Sequence, residues 1–212
     1  MASVTFDQFL PEIQPEVPGV PYPVVINAIR NACFDFCRRS LVWNEFQSQK
    51  AYTQGTAEYV LTPATGAQIV QVLSLIIDDG RLIPPGSTDE TVQARPQWRT
   101  QEGLVEWFIQ PSPGVVHFVA VPNGSGTFVP QVAYAPARDA SSVDASLYDL
   151  YLEDIKYGAL WKLKSIVGEP WADPAGAAYY ADLFNRGIGR AVSERTRNNS
   201  RASLRVAPTP FV

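Results

Sequence analysis

The chain has 212 residues, 46% of them hydrophobic and 18% charged, with 18 prolines and 11% aromatic residues. That is enough apolar material for a sizeable core without disulfide staples, and the low charge with many prolines suits a loop-rich protein that covers surface against neighbours. The formal charge of -4 is unevenly spread: positions 186–212 hold six arginines against Glu194 alone (+5), leaving -9 on the rest, and an acidic body with a basic end argues against a general nucleic-acid binder.

Cysteine and histidine are scarce. Cys33 and Cys37 stand four apart in a helical segment, and the single histidine, His117, lies far along the chain. Neither a disulfide framework nor a four-ligand zinc site follows, and the cysteines read as small core residues. No charged-then-apolar leader opens the sequence and no run of 18 apolar residues occurs, so secretion and membrane spanning are not expected.

In chain order, residues 11–23 contain five prolines and a glycine, which predicts an extended arm or ordered loop rather than a regular helix. From Val24 the period changes. Val25, Ile29, Ala32 with Cys33, and Phe36 share one helical face, and Arg38 with Arg39 suits the last turn.

Between Leu41 and Ala137 the pattern becomes short strands: residues 41–49, 57–61, 69–77, 81–83, 104–109, 115–121 and 127–135. Asp78-Asp79-Gly80 predicts a tight hairpin turn, residues 122–126 a second one, and residues 88–94 a single helical turn. A sandwich or small barrel would bury these strands.

Helix then returns. Ser146 with Asp149 resembles a capping box, and Leu152, Ile155, Ala159, Leu163 and Ile166 form a stripe that stops at Gly168 and Pro170. Asp173 before Pro174 opens another helix with stripe residues Ala177, Ala181, Phe184, Ile188 and Val192. The short link predicts an antiparallel hairpin on which the first long helix packs. After Asn198 no stripe remains. Residues 199–212 either fray or, through alternating Leu204 and Val206 with Arg201, Arg205 and Phe211, dock as an extended strand on a partner.

The expected fold is therefore α+β: an antiparallel bundle of three main helices with an inserted all-β sandwich or barrel-like domain and an extended carboxyl-terminal tail. The expected division is an arm and first helix (1–40), a β-domain (41–140), a helical hairpin (141–198) and the tail (199–212).

No nucleophile-elbow, zinc-protease, phosphate-loop or dinucleotide glycine motif is present. Gly124-Ser125-Gly126 falls in a turn, and His117 alternates with Val116 and Phe118 as a strand residue does. The carboxylate pairs Asp78-Asp79, Asp89-Glu90 and Glu153-Asp154 read as solvated charge, although two of them facing each other would serve a glycosidase. Five tryptophans raise the alternative of a carbohydrate-binding tail module, but Trp161 and Trp171 stand on or beside the helical hairpin, where packing is their ordinary role. No catalytic, cofactor-binding or metal residue is assigned.

Two stretches carry a resemblance. Residues 17–45, VPGVPYPVVINAIRNACFDFCRRSLVWNE, and residues 154–191, DIKYGALWKLKSIVGEPWADPAGAAYYADLFNRGIGRA, resemble the phage head-to-tail adaptor proteins, the group that includes the tail tubular protein A of short-tailed phages. The chain departs from that pattern at Trp161 and Lys162, which follow a Gly-Ala-Leu step, and at Gly187 and Gly189.

The resemblance implies a non-enzymatic virion protein, made in the host cytoplasm and placed in the phage neck. It implies a homo-oligomeric ring, usually twelve-fold, between the portal protein and the tail, nozzle or tail-tube protein, whose hole continues the channel for double-stranded DNA without sequence-specific binding. It implies no cofactor and no membrane. Acidic side chains would line the hole, and the tail would dock on the portal through Arg201, Leu204, Arg205, Val206, Phe211 and Val212. A head-completion or stopper protein is a neighbouring reading that differs in position rather than chemistry.

Overall fold

The computed structural model describes residues 2–77 and 80–197. A short strand β1 (Ser3–Thr5) leads into a 3-10 turn (Phe6–Phe9), a one-turn helix α1 (Leu10–Ile13) and a second 3-10 turn (Gln14–Glu16). The proline-rich opening is thus more regular than an extended arm. Pro11 and Pro15 each fall within the first two positions of their helical turns, where a missing N–H removes no bond. Phe6, Phe9, Ile13 and Val17 are buried and anchor the segment.

Helix α2 (Tyr22–Ser40) buries Val25, Ala28, Ile29, Ala32, Cys33, Phe36, Cys37 and Ser40. It ends where Ser40 Oγ donates to the Phe36 carbonyl at 2.6 Å and the Leu41 N–H to the Cys37 carbonyl at 2.8 Å. Leu41 has φ 57°, a left-handed conformation that costs a branched residue about 1–2 kcal/mol. Burial pushes both thiols well above their ordinary pKa, so they are inert at neutral pH.

The strands are β2 (Asn44–Phe46), β3 (Lys50–Tyr52), β4 (Glu58–Val60), β5 (Ala67–Ile77), β6 (Leu82–Ile83), β7 (Glu102–Gly103), β8 (Trp107–Ser112), β9 (Val115–Val119), β10 (Val121–Pro122), β11 (Gly126–Pro136) and β12 (Ser142–Asp144), with helix α3 (Thr88–Ala94) between β6 and β7. The largest sheet runs β2-β11-β5-β6, with β3 also on β11. Its spine is the antiparallel β5–β11 ladder, from Phe128 opposite Ile77 to Pro136 opposite Ala67. Strands β4, β9 and β8 form a second sheet, β1 pairs with β12, and β7 runs parallel to β10.

The turn predicted before β6 forms: Gly80 has φ 77° and its N–H donates to the Ile77 carbonyl at 2.7 Å. Asp78 and Asp79 themselves lie outside the described residues. The second predicted hairpin does not form, because β9 pairs with β4 and β8 while β11 pairs with β2, β3 and β5. The chain crosses between sheets there and sets their apolar faces against each other. Phe118 meets Phe128 at 5.3 Å, and Tyr59 meets both, at 5.1 and 5.4 Å.

Helix α4 (Ala145–Lys164) is capped by Asp144, which accepts from the Ser146 N–H at 3.0 Å. The expected Ser146–Asp149 box gives way to this earlier and stronger acceptor. Helix α5 (Pro174–Thr196) begins as expected: Asp173 accepts from the Gly176 N–H at 2.9 Å, with Pro174 in the first turn.

The bundle-plus-insert architecture is overturned, although the α+β class holds. Among the described residues there are five helices and several sheets, and α1, α2, α4 and α5 share with the sheets one core that runs from Phe6, Phe36, Leu160 and Phe184 to Phe118, Phe128, Val132 and Tyr134. Helix α2 packs on β11 as well as on α4 and α5. Its apolar face is too wide to be covered by two helices, so the sheet takes the remainder. A small satellite cluster joins Trp98, Ile109 and Val119.

Candidate interaction surfaces

The tail residues proposed from sequence, Arg201, Leu204, Arg205, Val206, Phe211 and Val212, lie outside the described residues. What the fold does define is the end of α5 from which they follow. There Arg190 Nη2 donates to Asp154 Oδ2 at 2.5 Å, Arg190 Nε stands 3.8 Å from Glu194 Oε1, and the Tyr151 hydroxyl donates to Glu194 Oε2 at 3.0 Å.

Asp154 is 4% exposed, so the reading of Glu153-Asp154 as two solvated charges holds only for Glu153. Burial raises the Asp154 carboxyl pKa, and the Arg190 guanidinium pulls it back. Burial with the Glu194 bond pushes the Tyr151 hydroxyl up to about 12.

Gly187 makes that seat possible. A Cβ there would stand 2.2 Å from Asp154 Oδ1. Gly187, one of the positions where the chain departs from the family pattern, thus admits a carboxylate into the helix interface. Gly158 does the same for a ring: a Cβ would meet Phe184 at 2.6 Å and Ala32 Cβ at 3.0 Å, where α2, α4 and α5 converge.

The Trp161-Lys162 step is also accounted for. Trp161 packs on Phe184 at 6.0 Å, and Lys162 Nζ pairs with Asp35 Oδ2 at 2.5 Å.

Among the clefts that flank α4, two bear on assembly. The first, about 570 Å³, is lined by Val42, Asn44, Leu147, Leu150, Tyr151 and Arg195 among others, and it opens at the last turn of α5. The second, about 370 Å³, lies between α2, the end of β11 and α4. Phe34, Pro136 and Ala137 form its apolar lining, and Arg30, Asp35, Arg138 and Lys162 its charges. Arg30 is held in place, its Nε donating to the Ala140 carbonyl at 3.0 Å and its guanidinium 5.5 Å over the Phe6 ring.

The residues considered for chemistry are dispersed. His117 Nδ1 lies 3.0 Å from the Phe118 carbonyl and its ring meets buried Trp98 edge-on at 4.7 Å, which is a packed strand residue. Asp89 is exposed on α3, far in sequence from Glu153 on α4. Trp43 and Trp98 are buried and Trp107, Trp161 and Trp171 are half-buried, so none of the five stands out as an exposed platform for a sugar. Ser125 Oγ accepts from the Gln54 N–H at 3.0 Å and fastens a loop. Among the described residues no three His, Cys, Asp or Glu side chains gather as a metal site, and no helix is long and apolar enough to cross a membrane.

Among the comparisons with known proteins, a family model described as SU10 adaptor protein matches residues 4–207. No curated protein matches the chain.

Proposed function

This chain belongs to the SU10 adaptor protein family of phages, and from that membership we propose that it is a non-catalytic subunit of a head-to-tail ring that joins the portal to the tail.

 The ring would hold about twelve copies and carry the DNA channel through its centre, retaining DNA after packaging and passing it on ejection. The observation that carries this reading is the family match across residues 4–207. The charge distribution supports it. With -9 outside positions 186–212, acidic side chains around the hole would repel DNA and let it slide, where a ring of arginines would hold it.

The basic tail, 199–212, is the proposed portal-docking segment. Arg201 and Arg205 would meet acidic groups, and Leu204, Val206, Phe211 and Val212 would fill apolar sites, with the cost of ordering each tail repeated around the ring. The test is to mix the full chain with portal rings of the same virion and measure the assembled mass. A multiple of the chain mass added to the portal supports the reading. A chain that stays apart from the portal overturns it, and a chain shortened to residues 1–198 that binds as tightly as the full chain overturns the docking role of the tail.

A further inference from the structure

We propose that successive copies meet through two different surfaces: the exposed Asp149-Leu150 corner of α4 on one copy seats in the groove between α2 and the end of β11 on the next. The inference rests on the ring reading above and names the contact that builds the ring.

The groove offers an apolar floor beneath excess positive charge. Phe34, Pro136 and Ala137 supply the floor, and three cations, Arg30, Arg138 and Lys162, face one carboxylate, Asp35. Arg30 and Lys162 are occupied by the Ala140 carbonyl and by Asp35. Arg138 is exposed, and among the described residues it has no hydrogen-bond or ion-pair partner. The α4 corner is the converse. Leu150 is 63% exposed, and Asp149 beside it is exposed and equally without a partner among the described residues. Glu153, one turn on, adds negative charge although it also reaches Lys156, at 3.8 Å.

Charge and distance select the occupant. The chain's own tail carries Arg201 and Arg205 and would bring like charge to the groove. DNA would meet Asp35 inside the groove and Asp139 beside Arg138, which disfavours phosphate. The corner of the same copy cannot reach, because Leu150 precedes Lys162 by twelve residues, on the other side of the break in α4 at Tyr151 (φ -129°, ψ 20°), and the helical stretch from Tyr151 to Lys162 alone spans about 16 Å. A second copy can. Contact between two unlike patches is heterologous, the kind that closes into a ring when the rotation between copies permits. Leu150 supplies the buried anchor and Asp149 opposite Arg138 the register.

The test uses rings assembled on the portal, with a short bismaleimide linker as the probe. Cys33 and Cys37 are buried and stay unlabelled. A full chain carrying both Leu150→Cys and Arg138→Cys gives a ladder of covalent oligomers, and each single variant remains monomeric on a denaturing gel. Independently, Arg138→Glu weakens assembly about tenfold or more, and adding Asp149→Arg restores it. Normal ring mass with no ladder overturns the contact while leaving the ring reading intact. Cross-linking by Leu150→Cys alone would show like patches meeting and overturn it too. Loss of a bound DNA duplex in Arg138→Glu with ring mass unchanged would assign the groove to DNA instead. Absence of any ring in the parent protein removes the ring reading and this inference together.

Discussion

Replacing Gly158 by alanine tests how tightly the three long helices converge. The new methyl would stand 2.6 and 2.8 Å from two Phe184 ring carbons and 3.0 Å from Ala32 Cβ, so the ring must retreat by close to an ångström. It has little room, being fully buried with Phe36 at 6.1 Å and Trp161 at 6.0 Å. Overpacking of this kind costs about 1–3 kcal/mol, and so short a contact belongs at the upper end. Alanine regains about 1 kcal/mol of helix propensity, which leaves a net loss of about 2 kcal/mol, a fall in Tm of about 4–8 °C for a chain of this size. Gly189 on α5 is the control: nothing lies within 4 Å of its Cβ position, so Gly189→Ala should gain about 0.5–1 kcal/mol. Urea denaturation with an unchanged m-value reads both. A Gly158→Ala protein as stable as its parent, or a Gly189→Ala protein that is weaker, would refute the reasoning.

Other outcomes follow from the same contacts. Gly187→Ala should cost about 1–3 kcal/mol by expelling Asp154 from its seat, read as a lower urea midpoint. The raised pKa of Asp154 means that the folded state holds its proton more tightly. That contribution to stability is therefore complete below the ordinary carboxylate range and falls as pH rises through the folded value. Asp154→Asn should remove this decline, so the difference between parent and variant midpoints should change across the acid range; a constant difference would contradict it. Asp173 has the opposite sign. The Gly176 N–H lowers its pKa, so the stability that Asp173→Ala forfeits at neutral pH should disappear once both proteins are acidified below the folded value. Asp144→Ala should cost about 1 kcal/mol as a lost helix cap, whereas Asp149→Ala should leave the stability of the isolated chain unchanged, by thermal melting.

The long helices were legible because their signals are local. The apolar face of α2, the Asp173-Pro174 start of α5 and the glycine turn before β6 each depend on neighbours a few residues away. What escaped is non-local. Strands β9 and β11 look like a hairpin in sequence, yet they join different sheets because Phe118 and Phe128 pack across the layers. Asp154 looks like one of two surface carboxylates until α5 brings Gly187 and Arg190 beside it. The one hint of that pocket was the glycine itself, placed inside a helix where a residue costing about 1 kcal/mol relative to alanine calls for a reason. The cap moved from Ser146 to Asp144 because β12 delivers an acceptor directly into the first turn of α4. The groove beside α2 draws Arg30 from α2, Arg138 from the turn after β11 and Lys162 from α4, and no spacing rule gathers them.

The pairing of β1 with β12, Ser3 opposite Asp144, sets the order in which a nascent chain can mature. Strand β1 has no partner until some 140 further residues have followed it. Meanwhile the turn that carries Phe6 and Phe9 can pack on α2, but its burial and that of Ile13 are completed only by α4. Closing so long a loop is slow compared with local helix formation. Final closure of the core therefore waits for β12 and α4, and a chain that stops short of α4 leaves Phe9 without the Tyr148 ring it meets edge-on at 5.0 Å.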